Sequence, residues 1–184
     1  MKIYCDTDTL LNNVERHREQ NQVQRELEAL KELLGRRQSC ALTIYRSRVA
    51  LRELERTPNQ DQRARLRADC ESLAQIPQDE RVYGFNNEID LHGCSSCYPL
   101  VSDVQDEAIC HELQTHGISL GDAQQITQAV CNTCDVFLTR GKESIISQRP
   151  WIEERFPGLR VRLPTELLEE TRSGRHLGCR PVHE

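Results

Sequence analysis

The 184 residues are enough for one domain with a core that needs neither disulfides nor metal, and aromatics at 4% leave that core to Leu, Ile, Val, Ala and Cys. A formal charge of -5 argues against a protein that grips nucleic acid through a broadly basic surface, but not against one that gathers cations at clustered carboxylates. The opening MKIYCDTDTLLNN has too short an apolar run for a signal peptide, and no stretch reaches membrane-spanning length. A cytoplasmic location is therefore expected, and the nine cysteines are read as reduced thiols.

Residues 2–6 and 41–45 are short, apolar and β-rich, which predicts two buried strands. Between them Val23, Leu27, Leu30, Leu33 and Leu34 recur at helical spacing, with Gly35 as the stop. A strand, helix, strand unit implies a parallel pair. A second helix carries Val49, Ala50, Leu51 and Leu54 and ends near Pro58, and a third is expected over 60–75 with Leu66, Cys70 and Leu73 on one stripe. Residues 77–101 hold Gly84, Asn86, Asn87 and Gly93 without a clear period, and are expected to be an irregular insertion. Helices follow over 103–116 and 122–131, then a buried strand over 135–139, an edge strand over 159–163 and a last helix from Pro164. The expectation is an α/β domain over 1–170, a doubly wound parallel sheet flanked by helices, with a flexible tail over 171–184.

Ligands bind such sheets outside the carboxyl ends of the parallel strands. Asp6 ends the first strand, Asp8 lies just past it, and Asp122 opens a helix running back from the same edge. Asp135 starts its strand roughly 13 Å of extended chain before Thr139 and is excluded as a ligand. Glu53, among apolar neighbours on the helix after the second strand, can turn in under that edge. Converging carboxylates repel unless cations join them, and oxygen donors suit Mg²⁺ or Mn²⁺, which activate water and stabilise charge on a phosphodiester. Each acid also has a plainer use: a turn for Asp6, a helix cap for Asp122, an ion pair with Arg52 or Arg56 for Glu53.

The opening DTDTLL, the segment SRVALREL, the run DAQQITQA and DVFLTRGKESII together resemble the PIN domain, known as the ribonuclease toxin of VapBC-type toxin–antitoxin pairs. The resemblance implies a metal-dependent endoribonuclease with Asp6, Glu53 and Asp122 as its first three acids, an RNA substrate, an antitoxin partner and a homodimer. It departs at Gly141, where the family commonly carries Asp or Asn two residues after the threonine matched by Thr139. Asp8, Glu143 or a water would have to complete the site, and the alternative is a catalytically impaired module that binds RNA or protein. Arg140 and Lys142 are candidates for phosphate contact at the same edge.

Asp6-Thr7-Asp8 also resembles the paired aspartates of haloacid-dehalogenase-like phosphatases, but Leu10 stands where that motif wants Thr or Val. Cys94 with Cys97 and Cys131 with Cys134 have the spacing of a structural zinc site, with His92 and His111 as further ligands. Because Cys131 and Cys134 close a helix and enter a buried strand, ordinary core thiols are expected instead.

Overall fold

The computed structural model describes residues 1–6, 9, 20–36, 42–55, 58–71, 73–76, 81–89, 95–102, 106–140 and 143–173, with the side chains of 20–23, 48, 52, 53, 62, 65, 66, 69, 81–89, 95–102 and 143 outside that description. The chain runs β1 (Lys2–Cys5), α1 (Gln20–Arg36), β2 (Thr43–Arg46), α2 (Arg48–Glu55), α3 (Gln60–Glu71), β3 (Ala74–Gln75), β4 (Arg81–Ile89) and β5 (Ser95–Ser102). It continues as α4 (Glu107–Thr115), α5 (Leu120–Cys131), β6 (Val136–Leu138), α6 (Glu143–Ser147), α7 (Arg149–Arg155), β7 (Arg160–Arg162) and α8 (Pro164–Arg172).

Five strands form one parallel sheet in the order β3-β2-β1-β6-β7, so the chain starts in the middle and winds outward in both directions. The strand period of two sorts the side chains onto two faces. Ile3, Cys5, Ile44, Val136 and Leu138 pack with Leu30 and Leu33 of α1, Leu54 of α2 and Leu167 and Leu168 of α8. On the other face Tyr4, Phe137 and Val161 pack with Leu113 of α4, Ala123 and Ile126 of α5, Ile145 of α6 and Ile152 of α7. A doubly wound α/β fold is thus present as expected. Among the described residues no helix is long and apolar enough to cross a membrane.

Several expectations need correction. Residues 81–102 contain an antiparallel hairpin, β4 with β5, where an irregular insertion was expected over 77–101. The glycine that looked like loop sequence stands at a shift of register between Val82 and Gly84, and Pro99 is tolerated because each strand of a two-stranded ribbon is an edge. The helix expected over 60–75 stops at Glu71, and Ala74–Gln75 instead adds a two-residue strand to β2. Two short helices, α6 and α7, occupy a stretch for which no element is expected from the sequence. Of the tail expected over 171–184, Arg172 still belongs to α8, and 174–184 lie outside the described residues.

The far edge of the sheet is held by charge rather than by further strands. Arg162 meets Glu170 at 2.6 Å as well as Glu153, and Arg160 meets Glu170 at 2.7 Å, tying β7 to α7 and α8. The backbone N–H of Val161, which points away from β6, donates to Glu153 Oε1 at 2.9 Å. At the start of α8, Leu163 in the cap position has no acceptor to offer, so distant carboxylates serve the first turn. Glu26 of α1 accepts from Thr165 N at 2.9 Å and Thr165 Oγ1 at 2.7 Å, and Glu166 accepts from Leu163 N at 2.9 Å.

Glu166 also takes a paired contact from Arg149 at 3.0 and 2.9 Å. Burial pushes its carboxyl up, but the Arg149 guanidinium, the Leu163 N–H and nearby Arg162 outweigh it and hold the pKa below the ordinary 4.5. A depressed carboxylate stabilises the fold fully above its unfolded pKa and loses that contribution as pH falls through the folded one. Glu166→Gln is therefore expected to lower the melting midpoint near neutrality, and to converge on the wild type as melts are taken at successively lower pH below about 4.5. A constant gap down to full acid unfolding would assign the loss to packing.

Candidate active site at the carboxyl edge of the sheet

Asp6 follows the last residue of the central strand, and its position is fixed from both neighbours. Its N–H donates to Leu138 O at 3.0 Å, continuing the β1–β6 ladder, and its carbonyl accepts from Thr9 N at 3.1 Å in a tight turn. Thr9 Oγ1 donates to the same Leu138 carbonyl at 3.2 Å. The Asp6 side chain is wholly buried, and Thr139, itself wholly buried just past β6, donates its hydroxyl to Asp6 Oδ2 at 3.1 Å. Cys5 beside it stays a neutral thiol, its pKa pushed well up by burial, then by the Asp6 charge and by Cys70.

Asp122 reaches the same edge from the other side of the chain. Because β6 starts just after α5 ends, α5 runs back along the sheet and begins at the carboxyl edge. The helix opens two residues earlier than expected: Ser119 is its cap, and Asp122 occupies the third helical position. Ser119 Oγ donates to Asp122 Oδ2 at 2.8 Å and accepts from Asp122 N at 3.3 Å, a reciprocal cap that holds a nearly buried carboxylate in place.

The third acid, Glu53, lies on α2, and α2 packs against α5, so the helices bearing Glu53 and Asp122 are neighbours. Its side chain is outside the described residues, as are Asp8, Gly141, Lys142 and the side chain of Glu143, although Glu143 is seen to open α6. Among the described residues no three His, Cys, Asp or Glu side chains gather closely enough to hold a metal ion. The donors that are described, the carboxylates of Asp6 and Asp122, are hard oxygens at one edge, a chemistry that fits Mg²⁺ or Mn²⁺. Asp135 stands at the opposite edge, accepting from Lys2 N at 2.7 Å at the start of β1.

Two features of this edge were not anticipated. Tyr4 stacks on Phe137 with ring centroids 5.5 Å apart and donates its hydroxyl to Ser47 Oγ at 2.6 Å, and Ser47 Oγ in turn accepts from Ala50 N at 3.2 Å. This fastens the first turn of α2, the helix of Glu53, to the central strand. Gln125 and Gln128 of α5 are also fully buried on one flank of the helix beside Asp122, while Thr127, buried on another side, donates to Ala123 O at 2.7 Å. The other feature is Arg46, the last residue of β2, which is only 8% exposed while its Nε and Nη1 are enclosed without a hydrogen-bond partner. The signals were a tyrosine inside an apolar strand and an arginine at the end of one.

Of the two cysteine pairs, the structure describes the side chains of Cys131 and Cys134. Cys134 is buried and its thiol is pushed up to about 12, by burial first of all, so it stays protonated. Cys131 is half-buried at the end of α5, His111 is exposed on α4, Cys97 lies on β5 with its side chain outside the described residues, and His92 and Cys94 are outside them altogether. Two clefts, of about 300 Å³ between α2 and α3 and about 230 Å³ beside Cys134 and Phe156, have neither Asp6 nor Asp122 among their described lining residues.

No protein-family model matches the chain, and no curated protein matches it in sequence. Among solved structures it is similar to VapBC2 from Rickettsia felis, described as bound to a DNA fragment from their promoter, with TM-score 0.45 and 15% identity over 88% of this chain and 98% of that one.

The Thr139 contact can be tested without reference to activity. Thr139→Val keeps the shape and removes the donor to a buried carboxylate, and is expected to cost about 1–3 kcal/mol in urea unfolding. Thr139→Ser, which keeps the hydroxyl, should recover most of it; equal losses in both variants would assign the effect to the methyl group.

Proposed function

We propose that this chain is a metal-dependent endoribonuclease of the PIN type. The observation that carries the reading is the wholly buried Asp6 carboxylate at the carboxyl end of the central strand, held by Thr139, with Asp122 at the same edge. A buried carboxylate is costly to desolvate. A divalent cation would offset that cost. In this reading Asp6, Asp122 and Glu53 hold Mg²⁺ or Mn²⁺, which when bound lowers the pKa of water and stabilises charge on a phosphodiester. Thr139 orients the Asp6 carboxylate, Ser119 orients that of Asp122, and Tyr4 with Ser47 sets the start of the helix that carries Glu53. Arg140, one residue past Thr139, would contact phosphate in this reading. The resemblance of the sequence motifs to PIN toxins extends the reading to an antitoxin partner and a homodimer.

The test is cleavage of a mixed panel of labelled single-stranded RNAs with Mg²⁺, Mn²⁺ or EDTA. Metal-dependent cutting that falls at least about 100-fold in both Asp6→Asn and Glu53→Gln is the expected outcome. Cutting that persists in EDTA, or in both variants, would reject the assignment.

Gly141 favours a second reading, in which the chain has the PIN architecture but impaired catalysis and binds RNA or protein. It predicts RNA binding without turnover in the wild type and metal-dependent cutting in Gly141→Asp. A wild type that already turns over, and gains nothing from the aspartate, would dismiss it.

A further inference from the structure

The turn that leads into the Asp122 helix carries a feature that the proposed reaction leaves unused. α4 ends at His116 and α5 is capped by Ser119, so only Gly117 and Ile118 separate the two caps, at the carboxyl edge where α5 begins. Gly117 takes a φ of 84°, and the N–H groups of Gly117 and Ile118 donate to Gln114 O at 2.9 Å and Leu113 O at 3.2 Å, which fixes the turn. Three residues of chain span at most about 11 Å, so the backbone of His116 stays within that reach of Ser119, whose hydroxyl holds Asp122. α4, α5 and α7 cover the sheet face to which Tyr4 and Phe137 point, and the strand period of two continues that face to Asp6 and Thr139.

His116 is exposed, yet its ring is fixed. It stacks on Trp151 of α7 with ring centroids 3.7 Å apart and planes 17° from parallel. Its Nδ1 lies 3.0 Å from Glu112 O, and because a carbonyl only accepts, Nδ1 carries the proton. Glu112 is paired with Arg155, the Arg155 guanidinium lies over Phe156, and Phe156 meets Trp151 edge-on at 6.3 Å. The Glu112–Arg155 pair already ties α4 to α7 one turn away, a task that does not need an aromatic surface turned outward. One face of the imidazole rests on Trp151, so the exposure of His116 is on the opposite face and the edge of the ring. Leu120, the first residue of α5 and just past the same turn, is 54% exposed.

We propose that His116, backed by Trp151 and with Leu120 across the turn, is a stacking site for a base of single-stranded RNA beside the acids at the carboxyl edge. The polynucleotide rests on the nuclease reading, and the base on the ring geometry. A rigid, outward-facing π surface suits the flat face of a nucleobase, and such stacking tolerates any sequence. The net charge of -5 argues against a broad basic surface, and stacking holds RNA without one. A protein partner is disfavoured by size, because one imidazole and one leucine fall far short of the roughly 800 Å² that each side of a stable protein interface buries.

Trp151 is the single tryptophan of the chain, so its emission reports on this site alone. A 12-nucleotide oligoadenylate is titrated into the full chain in EDTA, so that metal-dependent cutting is off, with an abasic 12-mer of equal charge as the control. Saturable quenching of Trp151 by the oligoadenylate and none by the abasic strand is the expected result. Affinities are then read by fluorescence anisotropy of the labelled oligoadenylate across a salt series. His116→Ala, its fold checked by circular dichroism, is expected to weaken binding about tenfold and to leave the slope of log affinity against log salt unchanged, since stacking releases no counter-ions. His116→Phe, which keeps a flat ring, should retain the affinity. Leu120→Ser leaves the α4–α7 cluster intact, is expected to weaken binding about threefold, and decides the matter if His116→Ala does not fold. Wild-type affinity in the deciding variant overturns the proposal, as do equal quenching by the abasic strand and a wild type that binds no RNA. Adenosine monophosphate bound as tightly as the 12-mer also overturns it, in favour of a free nucleotide. Cleavage is scored separately with Mg²⁺ and Mn²⁺. RNA stacked on His116 but never cut removes the nuclease reading and leaves the base site standing, whereas cutting by a His116→Ala variant of undiminished affinity does the reverse.

Discussion

The central position of β1 is the constraint on which the rest of the molecule depends. Lys2–Cys5 pairs in parallel with β2 on one side and β6 on the other, so a four-residue strand is held from both sides and both of its faces are covered. A residue placed immediately after such a strand cannot wander. Asp6 inherits that fixity: its N–H extends the ladder to Leu138, and the strand that supplies this carbonyl also presents Thr139 to its side chain. The geometry of the candidate site is thus a continuation of sheet hydrogen bonding, which positions a group better than a loop would.

The helices apply the same logic from outside the sheet. Asp122 is held by its own capping serine, and α2 is pinned at its first turn by a tyrosine hydroxyl from β1. Gln125 and Gln128, fully buried, add polar groups to one flank of α5 beside the apolar face made by Ala123, Ile126 and Ala129.

Much of this was readable from the chain because it rests on local rules. The strand, helix, strand opening, the acids at strand end and helix start, and the exclusion of Asp135 all follow from apolar periodicity and the direction in which a parallel sheet runs. What escaped reading depended on distant partners or on misleading punctuation. Gly84 spoke for a loop, whereas register pairing places it inside a strand opposite Leu100. Ala74–Gln75 carries no strand signal of its own and is a strand only because β2 lies beside it. Glu26, far from α8 in sequence, serves the first turn of that helix, and nothing around residue 26 announces it. Arg46 and Tyr4 were hidden because a strand of four residues reads as core whatever stands at its ends.

The carboxylate of Glu153 on the outward N–H of Val161 has a consequence for association. A parallel sheet that begins in the middle must finish on two outer strands, and an outer strand with free donors is a template for another chain. Here one margin is only two residues long, and at the other the donor that a visiting strand would seek already carries a glutamate, with Arg160 and Arg162 locked around it. Among the described residues, the outward donor of β7 is thus already taken, and that margin is a poor template for zipping onto a second copy edge to edge.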